Sequence, residues 1–287
     1  MLKDGRESDN VVDVRGMGGK GLAIGGGGLG IIVVLVYVLL CGGDPQMLLD
    51  QISGGGQPTQ IERQQEQQGN QPTDSQGREA KVILATTEDA WRQILPQQAN
   101  RRYQDPQLVL FSNAVNSACG RAGSSTGPFY CPADQRLYLD FAFFNELARE
   151  FKAPGDFAQA YVIAHEVGHH VQNLVGTMDK VNAYQQRLPE AQSNQLSVRL
   201  ELQADCYAGV WANYVQKQGK LEVGDVEEAI RAAGAVGDDS IQKRSQGYVV
   251  PESFTHGSSQ ERMSWFNKGF QSGDMRQCNT FSDVRGI

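Results

Sequence analysis

The stretch Ala164-His165-Glu166-Val167-Gly168-His169-His170 decides how the rest of the chain is read. Tyr161-Val162-Ile163 precedes it and Val171-Gln172-Asn173-Leu174-Val175 follows, apolar on both sides and free of proline. Asp156 can open a helix there and Gly176 can stop it after Val175. On that helix His165 and His169 are four positions apart and share one face. Two imidazoles one turn apart can hold the same tetrahedral zinc ion. Glu166 sits where a carboxylate reaches the water the metal activates without ligating the metal, and can accept its proton. A glycine inside a helix costs about 1 kcal/mol against alanine, so Gly168 implies that another backbone comes close. His170 is one position past a ligand and turns away from the metal face.

A catalytic zinc needs a third protein ligand. A third histidine at position 175 is excluded, because the residue is Val175. Arg199-Leu200-Glu201-Leu202-Gln203-Ala204-Asp205 carries two carboxylates one turn apart on a second long helix, Gln192 to Lys217. Ala204, Ala208 and Ala212 share a face, so this helix can press against the first. Glu201 suits the third ligand, and Asp205 suits the N–H of a ligand histidine, fixing its tautomer. His256, in a Gly/Ser loop before the last helix, is the candidate for steadying the oxyanion, against a structural role as that helix's cap.

The remaining pattern is α+β and rich in helix. Thr87 reads as the cap of a helix through Trp91 and Leu95. Leu108-Val109-Leu110-Phe111 and Arg136-Leu137-Tyr138-Leu139-Asp140 read as short strands. Asp225 opens a helix through Ala233, and Ser258 or Ser259 opens the last one, through Phe270. The net charge of -7 comes with no basic stripe, which argues against a nucleic-acid partner.

Composition divides the chain. Residues 1–20 are polar and read as a cytoplasmic tail. Residues 21–43 hold no charged side chain and include Ile31 to Leu40 (IIVVLVYVLL), long enough for a transmembrane anchor. Lys3, Arg6, Arg15 and Lys20 precede it and no basic residue follows until Arg63. The positive-inside rule then sets a single-pass topology in the cell membrane, with the tail in the cytoplasm and the folded domain outside. Residues 44–77, rich in Gln and Gly, read as a flexible linker, and residues 78–287 as the folded domain. Gly16-Met17-Gly18-Gly19-Lys20-Gly21 matches a phosphate-loop spacing, but no strand precedes it and it is set aside. Four cysteines in the domain allow three pairings. Cys119 with Cys131, which flank a Gly/Ser loop, is the first choice; Cys206 with Cys278 then follows, and the alternative is that all stay reduced.

These residues resemble the bacterial neutral zinc metallopeptidase family, within the wider gluzincin arrangement of H-E-x-x-H followed by E-x-x-A-D. The resemblance rests on Cys119-Gly120, Gly127 to Pro132, Leu137 to Asp140, His165 to Gln172, Glu201 to Cys206 and Thr255 to Arg262, with Ser8-Asp9-Asn10 in the polar head. It implies a zincin-like domain with a small sheet, Zn²⁺ on His165, His169 and Glu201, and a peptide or protein substrate. The zinc-peptidase layout also suggests Leu137 to Leu139 as an edge strand that pairs with an extended substrate. Two rivals remain: an amidase-type hydrolase drawing its third ligand from Cys119 or Cys131, and an inactive zinc scaffold that binds partners in the cell envelope.

Overall fold

The structure, a computed structural model, describes residues 5–16, 70–150, 152–284 and 286. Helix α1, Ser75–Ala99, begins where the Asp74 side chain accepts a hydrogen bond from Gly77 N at 2.9 Å, and ends at Asn100 in the left-handed conformation. The helix starts well before Thr87, the cap expected from the sequence. Thr86 and Thr87 are buried in its interior, and their hydroxyls donate back to the Ile83 and Leu84 carbonyls at 2.7 Å.

The strands are β1 (Val11–Asp13), β2 (Gln107–Phe111), β3 (Ala114–Ser117), β4 (Gly120–Gly123), β5 (Phe129–Cys131) and β6 (Arg136–Asp140); β2, β5 and β6 carry the valine and aromatic residues that favour a strand, whereas β4, Gly-Arg-Ala-Gly, carries none. Four of them form one sheet in the order β1-β2-β6-β5, while β3 and β4 form a separate hairpin. β1, β2 and β6 are parallel, and β5 is antiparallel to β6. The parallel strands are buried along nearly their whole length, as strands covered on both faces must be. β6 lies between β2 and β5, so Leu137 to Leu139 are not the edge suggested for substrate pairing; that edge is β5.

The sequence reading sets residues 1–20 apart as a tail and starts the domain at 78. The structure instead builds Val11–Asp13 into the sheet as β1, and Met1–Arg15 with Asn70–Ile287 form one compact unit. The proposed span at 21–43 and the linker as far as Gly69 lie outside the described residues. Among the described residues no helix is long and apolar enough to cross a membrane.

The helical layer comprises α2 (Ala142–Arg149), α3 (Asp156–Val175), α4 (Thr177–Gln185), α5 (Glu190–Lys217), α6 (Asp225–Ala235), α7 (Asp238–Gln246) and α8 (Ser259–Ser272). α3 ends at Gly176 in the left-handed conformation, and α8 begins with a capping box between Ser258 and Glu261. α5 packs against α3 through Ala204, Ala208 and Ala212, all with no exposed surface. A Cβ placed on Gly168 would stand 2.9 Å from the Ala204 carbonyl oxygen and 3.2 Å from the Ala204 Cβ. This is the close backbone approach that the mid-helix glycine implies. Across the other face of α5, a Cβ on Gly269 of α8 would collide with the Cys206 carbonyl. Glycine and alanine thus let three helices stack at short spacing, and α5 is held in the middle. Trp211 of α5 stacks on Phe157 with ring centroids 5.5 Å apart and donates to Thr86 Oγ1 at 3.1 Å, tying α1 and α3 to the same core.

Both disulfides, Cys119–Cys131 and Cys206–Cys278, are formed. The first closes the hairpin loop onto β5, and the second fixes α5 to the turn Met275–Cys278.

Candidate metal centre

α3 and α5 bring the three expected ligands together. His165 Nε2 lies 3.1 Å from Glu201 Oε2, and His169 Nε2 lies 3.3 Å from Glu201 Oε1. The donor atoms of all three lie within 4.8 Å of one another. Tetrahedral zinc at about 2.1 Å from each donor would separate donors by roughly 3.4 Å, so the set fits the ion.

Each candidate ligand histidine is aimed from behind. His165 Nδ1 is 2.9 Å from Asp205 Oδ1, as the sequence predicts for Asp205. His169 Nδ1 is 2.9 Å from Gln172 Oε1. Anchoring each Nδ1–H on an oxygen leaves Nε2 as the nitrogen that could bind a metal ion. Gln172 in turn donates to Leu200 O at 2.7 Å and to Gln203 Oε1 at 3.1 Å, and Gln203 donates to Cys278 O at 3.0 Å. The second disulfide therefore sits at the end of a chain of hydrogen bonds that starts at His169.

Asp205 is saturated. It accepts from the Tyr161 hydroxyl at 2.5 Å and from Arg262 Nε and Nη2 at 2.8 and 3.0 Å. Burial alone would raise its pKa, but Arg262 and His165 outweigh burial and hold it below the ordinary value. Burial likewise opposes charge on His165, yet Asp205 and Glu201 lift the metal-free ring to about 10. Glu201 is pulled well below the carboxylate range, burial being overcome by His169 and His165. Glu166 goes the other way: burial dominates and raises it, against the pull of the two histidines. The two carboxylates of the site are thus shifted in opposite directions, Glu201 down by the histidines and Glu166 up by burial.

Glu166 opens into a cleft of about 730 Å³ shared by the three ligands, Phe129 and Tyr130 of β5, and His256. His256 Nδ1 is 3.1 Å from Asp238 Oδ1. The backbone N–H groups of Thr255, His256 and Gly257 all donate to Asp238 Oδ2, at 2.8, 2.6 and 3.0 Å. Asp238 therefore fixes both the loop and the ring. Its hydrogen bond raises the His256 pKa above the ordinary imidazole value, against the effect of burial. The cap of α8 is Ser258, which accepts from Glu261 N at 3.3 Å, so His256 is not needed for that role. His170 has no exposed surface and is engaged by Tyr130 Oη at 3.1 Å and Gln104 O at 2.7 Å, away from the ligands. Cys119 and Cys131 are bonded to each other, which removes the reading in which one of them ligates the metal.

Sequence reasoning missed Tyr161, Gln172, Asp238 and Arg262. Tyr161 lies one turn before His165 and Gln172 three residues after His169, so helical spacing could have nominated both. Asp238 and Arg262 carry no local signal, because their partners lie 18 and 57 residues away.

Residues 1–281 match the family described as "Putative neutral zinc metallopeptidase". A protein of Escherichia coli (strain K12), "Uncharacterized protein YpfJ", is 49% identical over 285 residues, covering 96% of each chain. "Uncharacterized protein Rv2575" of Mycobacterium tuberculosis (strain ATCC 25618 / H37Rv) is 44% identical over 213 residues, 70% of this chain and 69% of that one. No solved structure matches significantly. A match across nearly the whole sequence, with relatives sharing close to half their residues, means that the chain belongs to this neutral zinc metallopeptidase family.

Proposed function

We propose that the chain is a zinc-dependent endopeptidase that hydrolyses internal peptide bonds of extended substrates. The observation that carries this reading is the convergence of His165 Nε2 and His169 Nε2 on the two oxygens of Glu201, with Glu166 in the same cleft. A zinc ion held by His165, His169 and Glu201 would supply Lewis acidity, polarising the carbonyl and activating water. Glu166, its pKa raised by burial, accepts the proton of the attacking water and passes it to the leaving amine. His256 is oriented through Nδ1 by Asp238, so Nε2 is the nitrogen it offers to the negative charge that develops on the carbonyl oxygen. Tyr161, Asp205, Arg262 and Gln172 keep both ligand rings aimed.

β5 supports main-chain recognition. It is the open edge of the sheet beside α3, and its residues Phe129 and Tyr130 line the cleft. An extended peptide can add there as a further strand, taking its affinity from backbone hydrogen bonds. Aromatic and aliphatic side chains, Phe129, Phe143, Val162, Met178 and Ile241 among them, favour apolar residues around the cleavage point. Among the described residues no lysine lines the cleft and its one arginine, Arg262, is bound by Asp205, so beyond His256 and the metal site a terminal carboxylate finds no dedicated cation. The two disulfides favour an oxidising compartment outside the cytoplasm.

The test is zinc content of the purified full-length chain by elemental mass spectrometry, beside Glu201→Ala, with cleavage of terminally capped apolar peptides. Near-stoichiometric zinc that falls in Glu201→Ala, and cleavage abolished in Glu166→Gln, is the expected result. Zinc bound with no cleavage of any peptide would favour the scaffold reading, and a folded chain without zinc would overturn the metal site.

A further inference from the structure

We infer that residues 5–15 lie on the same side of any membrane as the catalytic unit. β1 pairs with β2 in register, Val11 with Leu108, Val12 with Val109 and Asp13 with Leu110. The ladder continues past the strand on both sides: Leu108 N donates to Asn10 O at 2.8 Å and Val14 N to Leu110 O at 2.9 Å. Ser8 and Val11 have no exposed surface. Glu88 of α1 is also fully buried, and its carboxylate receives Arg6 Nη2 at 2.7 Å, Ser8 Oγ at 2.5 Å and Asn10 Nδ2 at 2.8 Å. Three donors from one N-terminal segment thus meet a buried carboxylate of the domain. A charge buried there without such donors is unfavourable, so the segment is a structural part of the unit.

The chain returns at the point where it leaves. Asp13 N donates to Asn70 O at 2.8 Å and Asn70 N to Asp13 O at 3.1 Å. Gln71 Nε2 donates to Val11 O at 2.9 Å, and Arg15 binds both Asp13 and Asp74. A single crossing would separate these partners by a hydrocarbon core of about 30 Å, ten times the length of the bonds that join them. The charge count behind the single-pass reading also has another explanation. Arg6 and Arg15, two of the four basic residues before the apolar stretch, serve carboxylates inside the folded unit.

The test uses the full-length chain with Cys41→Ser, in cells and in vesicles of known sidedness. Asp9→Cys reports the N-terminal segment and Val223→Cys, fully exposed between α5 and α6, reports the domain. Both are labelled with a membrane-impermeant maleimide before and after permeabilisation. A third variant, Val12→Cys with Val109→Cys, reports the strand pairing by oxidative cross-linking. Expected are identical protection of the two reporters and a cross-link formed within one chain. A cross-linked chain recovered wholly in the soluble fraction also supports the inference, since no membrane then parts the two segments. Opposite protection of the two reporters, or no cross-link in a chain whose domain binds zinc, overturns it.

Discussion

Gly168 meets the Ala204 backbone so closely that a single methyl group would stand 2.9 Å from the carbonyl oxygen. Replacing glycine by alanine inside a helix normally gains about 1 kcal/mol. Overpacking a rigid helix contact loses about 1–3 kcal/mol, and here it must displace the backbone that carries Glu201. Gly168→Ala is therefore expected to destabilise the unit and weaken zinc binding together. Thermal unfolding and a zinc competition titration check this; a more stable variant with unchanged affinity would contradict the packing argument.

Asp205 and Gln172 support the two ligand histidines in different settings, and their losses should differ. Either Asp205→Ala or Gln172→Ala is expected to weaken zinc binding by about 10–100-fold. Only Asp205→Ala also takes the nearest carboxylate from the buried Arg262 guanidinium and leaves it Glu201 Oε2 at 3.6 Å, so a further loss near the lower end of the roughly 3–5 kcal/mol of a broken buried pair is expected. Unfolding midpoints measured on metal-free protein separate the two effects.

His256 should set the alkaline limb of the activity profile. The Asp238 hydrogen bond raises its pKa, Glu201 adds to this and Arg262 opposes it. The imidazolium that donates to the oxyanion is therefore present below that raised pKa and lost as pH climbs through it. Asp238→Asn removes the largest supporting cause, so the alkaline limb of kcat/KM is expected to move to lower pH. His256→Ala is expected to lower kcat/KM by about 10²-fold or more with zinc content unchanged. An unshifted limb in Asp238→Asn would remove His256 from the reaction.

The N-terminal segment is expected to be required for stability. A chain beginning at Asn70 leaves Glu88 buried without three of its donors, and Arg92, 3.8 Å away, compensates only in part. The loss is expected near the lower end of the roughly 3–5 kcal/mol typical of a broken buried pair. A chain in which a short Gly/Ser segment joins Arg15 to Asn70 should keep the full melting temperature, and comparing the two by thermal unfolding checks this.

The metal helix was legible because its features are local: ligand spacing, the glycine and the Gly176 stop all lie within α3. Glu201 and Asp205 were legible because small residues around them marked a helix pressed against another. β1 was not, because three residues of Val-Val-Asp inside a polar segment carry no strand signal until β2, nearly a hundred residues later, provides a partner. The α1 start was misplaced because Thr87, a good cap by type, can also bond back to a carbonyl within a helix. Asp238 and Arg262 escaped for the same reason as β1, since only the folded chain brings them to their partners.

The four-stranded sheet has two edges, and they are treated oppositely. Beside the cleft, β5 is the terminal strand and pairs only with β6 among the described residues. At the far side the chain uses its own beginning as the final strand, three residues long and flanked by the ion pairs of Arg6 and Arg15. Short, charged edge strands discourage other chains from joining. On the proposed reading, in which β5 accepts extended backbone at one margin, the short and ion-paired N-terminal strand leaves the opposite margin little to offer a neighbouring chain.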